Sequence, residues 1–84
     1  MYIQSLQPAY TNDISYLHVV ADKVGQLTIK VLNVHGMIAK KLTTFVEEGT
    51  QQLDINFSDL NNGNYILNAF SGDVFIKSFP LIKL

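Results

Sequence analysis

Five glycines divide the chain into short apolar segments, and their spacing restricts the fold more than any other feature. They lie in the strings DKVGQ, NVHGM, EEGT, NNGN and SGD, each between two apolar runs. Strands in small β-proteins are short and are joined by tight turns, so breaks about every 8 to 14 residues are typical of a meander or a sandwich. No run keeps a helical period, and the sequence therefore predicts an all-β fold.

Within these segments apolar residues alternate with other residues. Leu27, Ile29 and Val31 fall on one face of a strand, because successive side chains point to opposite faces. The same alternation predicts further buried faces formed by Leu17 and Val19, by Leu53, Ile55 and Phe57, by Tyr65, Leu67 and Ala69, and by Phe75, Phe79 and Leu81. Strands are predicted near residues 15–21, 26–34, 37–46, 51–57, 64–70 and 73–83, with a shorter one near Tyr2–Leu6.

This pattern predicts an immunoglobulin-like antiparallel β-sandwich of six to seven short strands, in which residues 1–84 form a single domain. The chain contains no cysteine, so apolar packing and strand pairing must supply the stability. His35-Gly36 and Ser71-Gly72 predict tight hairpin turns, since glycine tolerates the positive φ of such turns. Pro80 has no amide donor and predicts an edge strand or a bulge near the C-terminus.

The string Leu60-Asn61-Asn62-Gly63-Asn64-Tyr65-Ile66-Leu67 is the most informative local pattern. A leucine and a polar turn are followed by a tyrosine that opens an apolar strand. In Greek-key sandwiches such a tyrosine packs in the core and its hydroxyl bonds to an upstream backbone group, an arrangement called a tyrosine corner. We therefore predict a structural role for Leu60 and Tyr65.

Charge and hydropathy argue against two classes of partner. Six lysines, no arginine and seven acidic residues leave the chain close to neutral, whereas nucleic-acid binding needs a surface of one sign that is usually rich in arginine. No apolar stretch approaches the roughly 20 residues that cross a bilayer. The sequence therefore predicts no nucleic-acid partner and no membrane span.

No pattern of an active site is present in the sequence. His18 and His35 are the only imidazoles, and without thiols they fall short of the four ligands of a closed zinc site. No serine lies in the G-x-S-x-G elbow of a nucleophile. The acidic loop positions do not follow a calcium-loop pattern and are typical of Asx turns; they are Asn12-Asp13, Asp22, Asp59 and Asp73. We expect no catalytic residue, no metal and no cofactor, so the protein is not predicted to be an enzyme.

The order of these signals resembles the type A C-terminal sorting domain of the type IX secretion system. The opening Gln7-Pro8-Ala9 and Thr11-Asn12-Asp13 precede a first core strand around His18, and Leu27–Ile38 resembles the family's next strand and glycine turn. Leu60–Leu67 resembles its leucine, glycine and tyrosine element closely. The closing residues resemble the family's last, lysine-bearing strand; they are Gly72, Lys77, Phe79 and Lys83.

The resemblance implies that residues 1–84 are the C-terminal domain of a larger exported protein with its cargo domain upstream. It also implies a secreted or outer-surface location reached through the periplasm, and the type IX translocon and a surface sortase-like peptidase as partners. The residues implied in sorting recognition are Gly63, Tyr65, Lys77, Phe79 and Lys83, and those implied in the corner and turns are Leu60, Tyr65, Gly36 and Gly72. We expect recognition on exposed turns and on an exposed last strand, whose free backbone groups could add to a partner sheet.

Two other functions remain open at this stage, because one sandwich architecture serves many functions. The first is a carbohydrate-binding or adhesive module, in which a stacking platform for sugar would be supplied by Tyr2, Tyr10, Tyr16, Phe45 and Phe70. The second is a structural spacer attached to a hydrolase.

Overall fold

A computed structural model describes all 84 residues and contains only strands, turns and irregular segments. Eight strands follow one another along the chain. They are β1 (Tyr2–Gln7), β2 (Tyr10–Thr11), β3 (Ile14–Ala21), β4 (Gly25–Leu32), β5 (Ile38–Val46), β6 (Gly49–Asn56), β7 (Gly63–Ser71) and β8 (Val74–Lys83).

The strands form two sheets. One has three strands in the order β1-β3-β6, and the other has five in the order β2-β8-β7-β4-β5. Every pairing is antiparallel except that of β2 with β8, which is parallel. The immunoglobulin-like β-sandwich is thus confirmed. The two-residue strand β2 was not predicted, because so short a segment carries no alternation of its own.

The core consists of 16 buried apolar side chains from both sheets. Leu17, Leu27, Ile29 and Leu67 have no exposed surface, as the alternation predicts. Burial of apolar area contributes roughly 25 cal/mol per Å², so this shared core is the main source of stability in a chain that has no disulfide. Leu53 and Phe79 are only half-buried and pack at its margin.

The prediction that Phe75 faces the core is wrong. A register shift on β8 puts Phe75 opposite Phe70, whereas Lys77 lies opposite Ala69, so one extra residue bulges from the strand between them. A bulge reverses the alternation on its far side. Phe75 is therefore 53% exposed and meets the Phe70 ring edge-on at 5.8 Å between centroids, while Ile76 packs against the core.

Glycines occupy the two hairpin turns of the five-stranded sheet. Gly36 has a φ of 76° in the β4–β5 turn, where the Asn33 side chain accepts hydrogen bonds from the amides of His35 and Met37 at 2.9 and 3.0 Å. Gly72 has a φ of 58° in the β7–β8 turn, which has only two residues between Ser71 and Val74. Both positions suit glycine, because other residues rarely adopt a positive φ.

Candidate recognition site at the C-terminal strand

Tyr65 and Leu60 form the corner through which the chain passes from one sheet to the other. Tyr65 lies near the start of β7 and is 9% exposed, and its hydroxyl donates a 2.6 Å hydrogen bond to the carbonyl of Asn61. Leu60 is equally buried, and its amide donates to the carbonyl of Phe57 at 3.0 Å. These contacts fix the connection from β6 to β7 at both of its ends.

Gly63 is the exposed point of this corner. Its φ is 152°, and an added Cβ would meet no atom within 4 Å. The requirement for glycine therefore comes from the backbone conformation and not from lack of space. The residue offers an open backbone surface directly beside the last strand, since it lies opposite Lys83 in the sheet.

An ion pair connects the corner to the edge of the five-stranded sheet. The ammonium of Lys40 on β5 lies 2.9 Å from Asp59 Oδ2 in the β6–β7 connection. The hydrogen bond from Lys40 holds the pKa of the Asp59 carboxyl below its ordinary value, and the positive charge of Lys83 acts weakly in the same direction. The pair ties the corner to β5, but its carboxylate is well exposed.

Replacement of Asp59 with asparagine should lower the free energy of unfolding slightly at neutral pH and leave it unchanged in strong acid. Because the folded-state pKa of Asp59 is depressed, its contribution is complete above the unfolded-state pKa of about 3.9 and disappears as the pH falls through the lower folded-state value. Exposure keeps the effect small. Urea denaturation of wild type and Asp59→Asn between about pH 2 and pH 7 measures it. A difference that persists at the lowest pH would contradict a charge-based contribution.

The C-terminal end of β8 lies between two strands. Its Lys83 pairs with Gly63 of β7 on one side and with Thr11 of β2 on the other. The amides of Ile82 and Leu84 donate to the carbonyls of Ala9 and Thr11 at 2.9 and 3.0 Å. The expectation of an exposed last strand is therefore wrong for this end, because β2 covers it.

The side chain of Lys83 is also buried. It is 7% exposed, and its ammonium lies 3.3 Å from the carbonyl of Leu84. Leu81, two residues before it, faces the core, so alternation directs Lys83 to the same inner face. Lys83 therefore presents no exposed charge at the end of β8. The alternation of Phe79, Leu81 and Lys83 in the sequence could have indicated this inward orientation.

The remainder of β8 has a free edge. Before Ile82, no strand pairs with the edge of β8 that faces away from β7. Amide directions alternate along a strand, so the nitrogen of Pro80 points away from β7, to the same side as the Ile82 amide that donates to Ala9. Pro80 therefore costs no ladder bond with β7, in agreement with its predicted place on an edge strand.

The implied recognition residues differ in how they are presented. Gly63 and Lys77 are exposed, and the Lys77 ammonium lies 5.2 Å from the centroid of the half-buried Phe79 ring. Tyr65 and Lys83 are buried. The five residues thus lie on β7 and β8 of one sheet, with two of them on the surface and the others supporting it.

The three tyrosines of the sugar-platform hypothesis do not meet. Tyr2 and Tyr16 lie on β1 and β3, where they oppose Val20 and Gln7 near opposite ends of the strand pair. Tyr10 belongs to β2 of the other sheet. The structure therefore offers no shared stacking surface for them.

The two histidines are also separate. His18 is half-buried on β3, where its Nδ1 lies 3.2 Å from Ser5 Oγ and its Nε2 lies 3.1 Å from Gln52 Oε1. His35 is exposed in the β4–β5 turn. No group of three or more histidine, cysteine or acidic side chains converges in a way that could hold a metal ion. The structure also contains no helix that could cross a membrane.

Comparison with known proteins gives one match. The sequence profile of a family described as the secretion system C-terminal sorting domain matches residues 8–80. The matched range begins at Pro8, includes the corner from Leu60 to Tyr65 and ends on β8 at Pro80. Neither the curated proteins nor the solved structures contain a significant match to the chain.

Proposed function

The chain belongs to the family of secretion system C-terminal sorting domains, and on this premise we propose that it is a non-catalytic tail that directs an upstream cargo domain through the type IX secretion system. The cargo would reach the cell surface or the medium. The match over residues 8–80 carries the proposal, because it spans both sheets of the sandwich and not a single short motif.

The proposal assigns different roles to the implied recognition residues. Gly63 and Lys77 are exposed and would contact the translocon or the sortase-like peptidase. Tyr65 and Lys83 are buried and would act by holding β7 and β8 in place. The free edge of β8 before Ile82 could also accept a strand of a partner, since its outward backbone groups have no partner in the sheet.

A reporter fusion tests the proposal directly. A secretory signal peptide, a reporter and residues 1–84 are joined in this order and expressed in a cell with a working type IX system. We expect the reporter at the cell surface or in the medium when the domain is present, and in the periplasm when the domain is omitted. Equal distribution of the two fusions would reject the sorting function.

Point variants of the same fusion test the recognition role better than a deletion does. Removal of residues 79–84 would take away Leu81, which is 1% exposed, and would damage the core together with any recognition surface. Lys77→Glu leaves the core in place and should reduce export, whereas Lys23→Glu changes an exposed lysine of the β3–β4 loop and should not. Equal export of these two variants would remove Lys77 from the recognition surface.

A further inference from the structure

The outer face of the five-stranded sheet carries a continuous line of apolar side chains. The register places Pro80, Ile66, Leu32 and Ile38 side by side across β8, β7, β4 and β5, and we call these four residues the apolar row. Ile66 and Ile38 are 49% and 54% exposed. Single exposed apolar residues are ordinary, but a contiguous set on one face is typical of a contact surface.

Further apolar residues extend the apolar row at both ends. Val34 and Met37 of the β4–β5 turn are 71% and 58% exposed, and Tyr10 and Ile82, which are neighbours across β2 and β8, are 62% and 46% exposed. A groove of about 570 Å³ lies on this part of the sheet, and its lining includes Val34 and Ile66. This part of the face is therefore concave, and it combines apolar side chains with the amide side chains of Asn33, Asn64 and Asn68.

Two lysines without a counter-charge lie in the adjacent row. Lys30 and Lys41 are directly opposite each other on β4 and β5, and neither forms an ion pair. The Lys30 ammonium lies 4.8 Å from the centroid of the Phe70 ring, which supplies no negative charge. The depression around the two lysines includes Asp73 of the β7–β8 turn, which pairs with neither of them. Like charges directly opposite each other weaken a sheet, so an anion from outside the fold would stabilise this pair.

Charge is distributed unevenly over the whole domain. The strands of the five-stranded sheet contain five of the six lysines and none of the seven acidic residues. The acidic residues lie on β6 and in the connections between strands. Lys83 faces the interior and Lys40 is paired with Asp59, so the free positive charge of the outer face comes from Lys30 and Lys41. Carboxylates of a partner would complement it.

We propose that this outer face, formed by the apolar row and the Lys30–Lys41 pair, docks a partner protein whose contact surface combines apolar side chains with carboxylates. The proposal rests on the proposed function, because the partner would belong to the secretion machinery. An anionic membrane is a poorer match, since membrane binding of this kind uses clusters of about 4 to 8 basic residues. A two-fold dimer through this face is also a poorer match, because the same patch would meet itself and bring lysine pairs together.

Photo-crosslinking of the exported fusion tests this docking. A photoreactive amino acid replaces Thr43, which is exposed on the same face of β5 as Lys41, and in a matched fusion it replaces Gln4, which is exposed on β1 of the other sheet. We expect an adduct with one other protein species at Thr43 and none at Gln4.

Charge reversal shows whether that adduct depends on the lysine pair. Lys41→Glu should reduce both the Thr43 adduct and the exported fraction about tenfold, because a carboxylate would then face carboxylates across the contact. Lys23→Glu makes the same change of charge on an exposed, unpaired lysine of the β3–β4 loop and should leave both readouts unchanged. Thermal unfolding of the two variants verifies that they are folded. Should Lys41→Glu be unfolded, Lys41→Gln replaces it, with a smaller loss expected in the same direction.

The remaining outcomes overturn the docking proposal, and they separate it from the sorting function. The protein partner is rejected if the adduct contains a second copy of the fusion or lipid alone, or if no adduct forms. It is also rejected if neither the adduct nor export responds to Lys41→Glu. In each of these cases, export of the wild-type fusion would still support the sorting function. Absence of export for the wild-type fusion would reject both.

Discussion

Leu81→Ala is expected to lower the free energy of unfolding by about 2 to 5 kcal/mol. Leu81 is 1% exposed and lies opposite Tyr65 in the β7–β8 pairing, so the shorter side chain leaves a cavity beside the tyrosine ring. The cost combines the lost burial of the leucine atoms with the unfilled volume. Urea denaturation followed by circular dichroism measures the difference from wild type.

Ile82→Ala is the matched control on the same strand. Ile82 is 46% exposed on the outer face, so its truncation should cost less than about 1 kcal/mol. Equal losses for Leu81→Ala and Ile82→Ala would contradict the assignment of the inner and outer faces of β8.

Tyr65→Phe is expected to lower the free energy of unfolding by about 1 kcal/mol, because it removes one hydrogen bond and leaves the ring in place. The lost bond is the 2.6 Å contact from the hydroxyl to the carbonyl of Asn61, which closes the corner. In a domain of this size such a loss corresponds to a decrease of about 4 to 8 °C in the melting temperature. Differential scanning calorimetry provides both values.

Tyr10→Phe removes the same atom from a tyrosine that is 62% exposed and forms no hydroxyl hydrogen bond within the protein. Its effect should stay within about 0.5 kcal/mol. If Tyr65→Phe were as harmless as Tyr10→Phe, the hydroxyl would not hold the corner together.

The all-β class and the core of the central strands could be predicted from the sequence. Alternation is a local property of a strand, so Leu27, Ile29 and Val31 identify a buried face without knowledge of the partner strands. Glycines mark turns for an equally local reason, since Gly36 and Gly72 have the positive φ that the turns require.

The exceptions depend on how the strands pair. Phe75 continues the alternation of β8, and only the pairing with β7 contains the bulge that turns it outward. The outer edge of β8 is covered at its C-terminal end because β2 pairs with it there, although the two segments are separated by most of the chain. Neither pairing leaves a pattern in the local sequence.

The candidate surfaces also differ in whether their residues are close together in the sequence. The Leu60–Tyr65 corner could be identified from the sequence because its residues are close together in the chain. The apolar row joins residues of four strands, so it exists only once the register of the five-stranded sheet is known. The same holds for the Lys30–Lys41 pair, whose members lie on different strands.

We propose that the type IX machinery recognises this domain. The most direct test measures the surface-exposed fraction of the reporter fused to residues 1–84 in two strains that differ only in a functional translocon. We expect a surface-exposed reporter in the competent strain and a periplasmic reporter in the deficient strain. The same surface-exposed fraction in both strains would contradict the proposal.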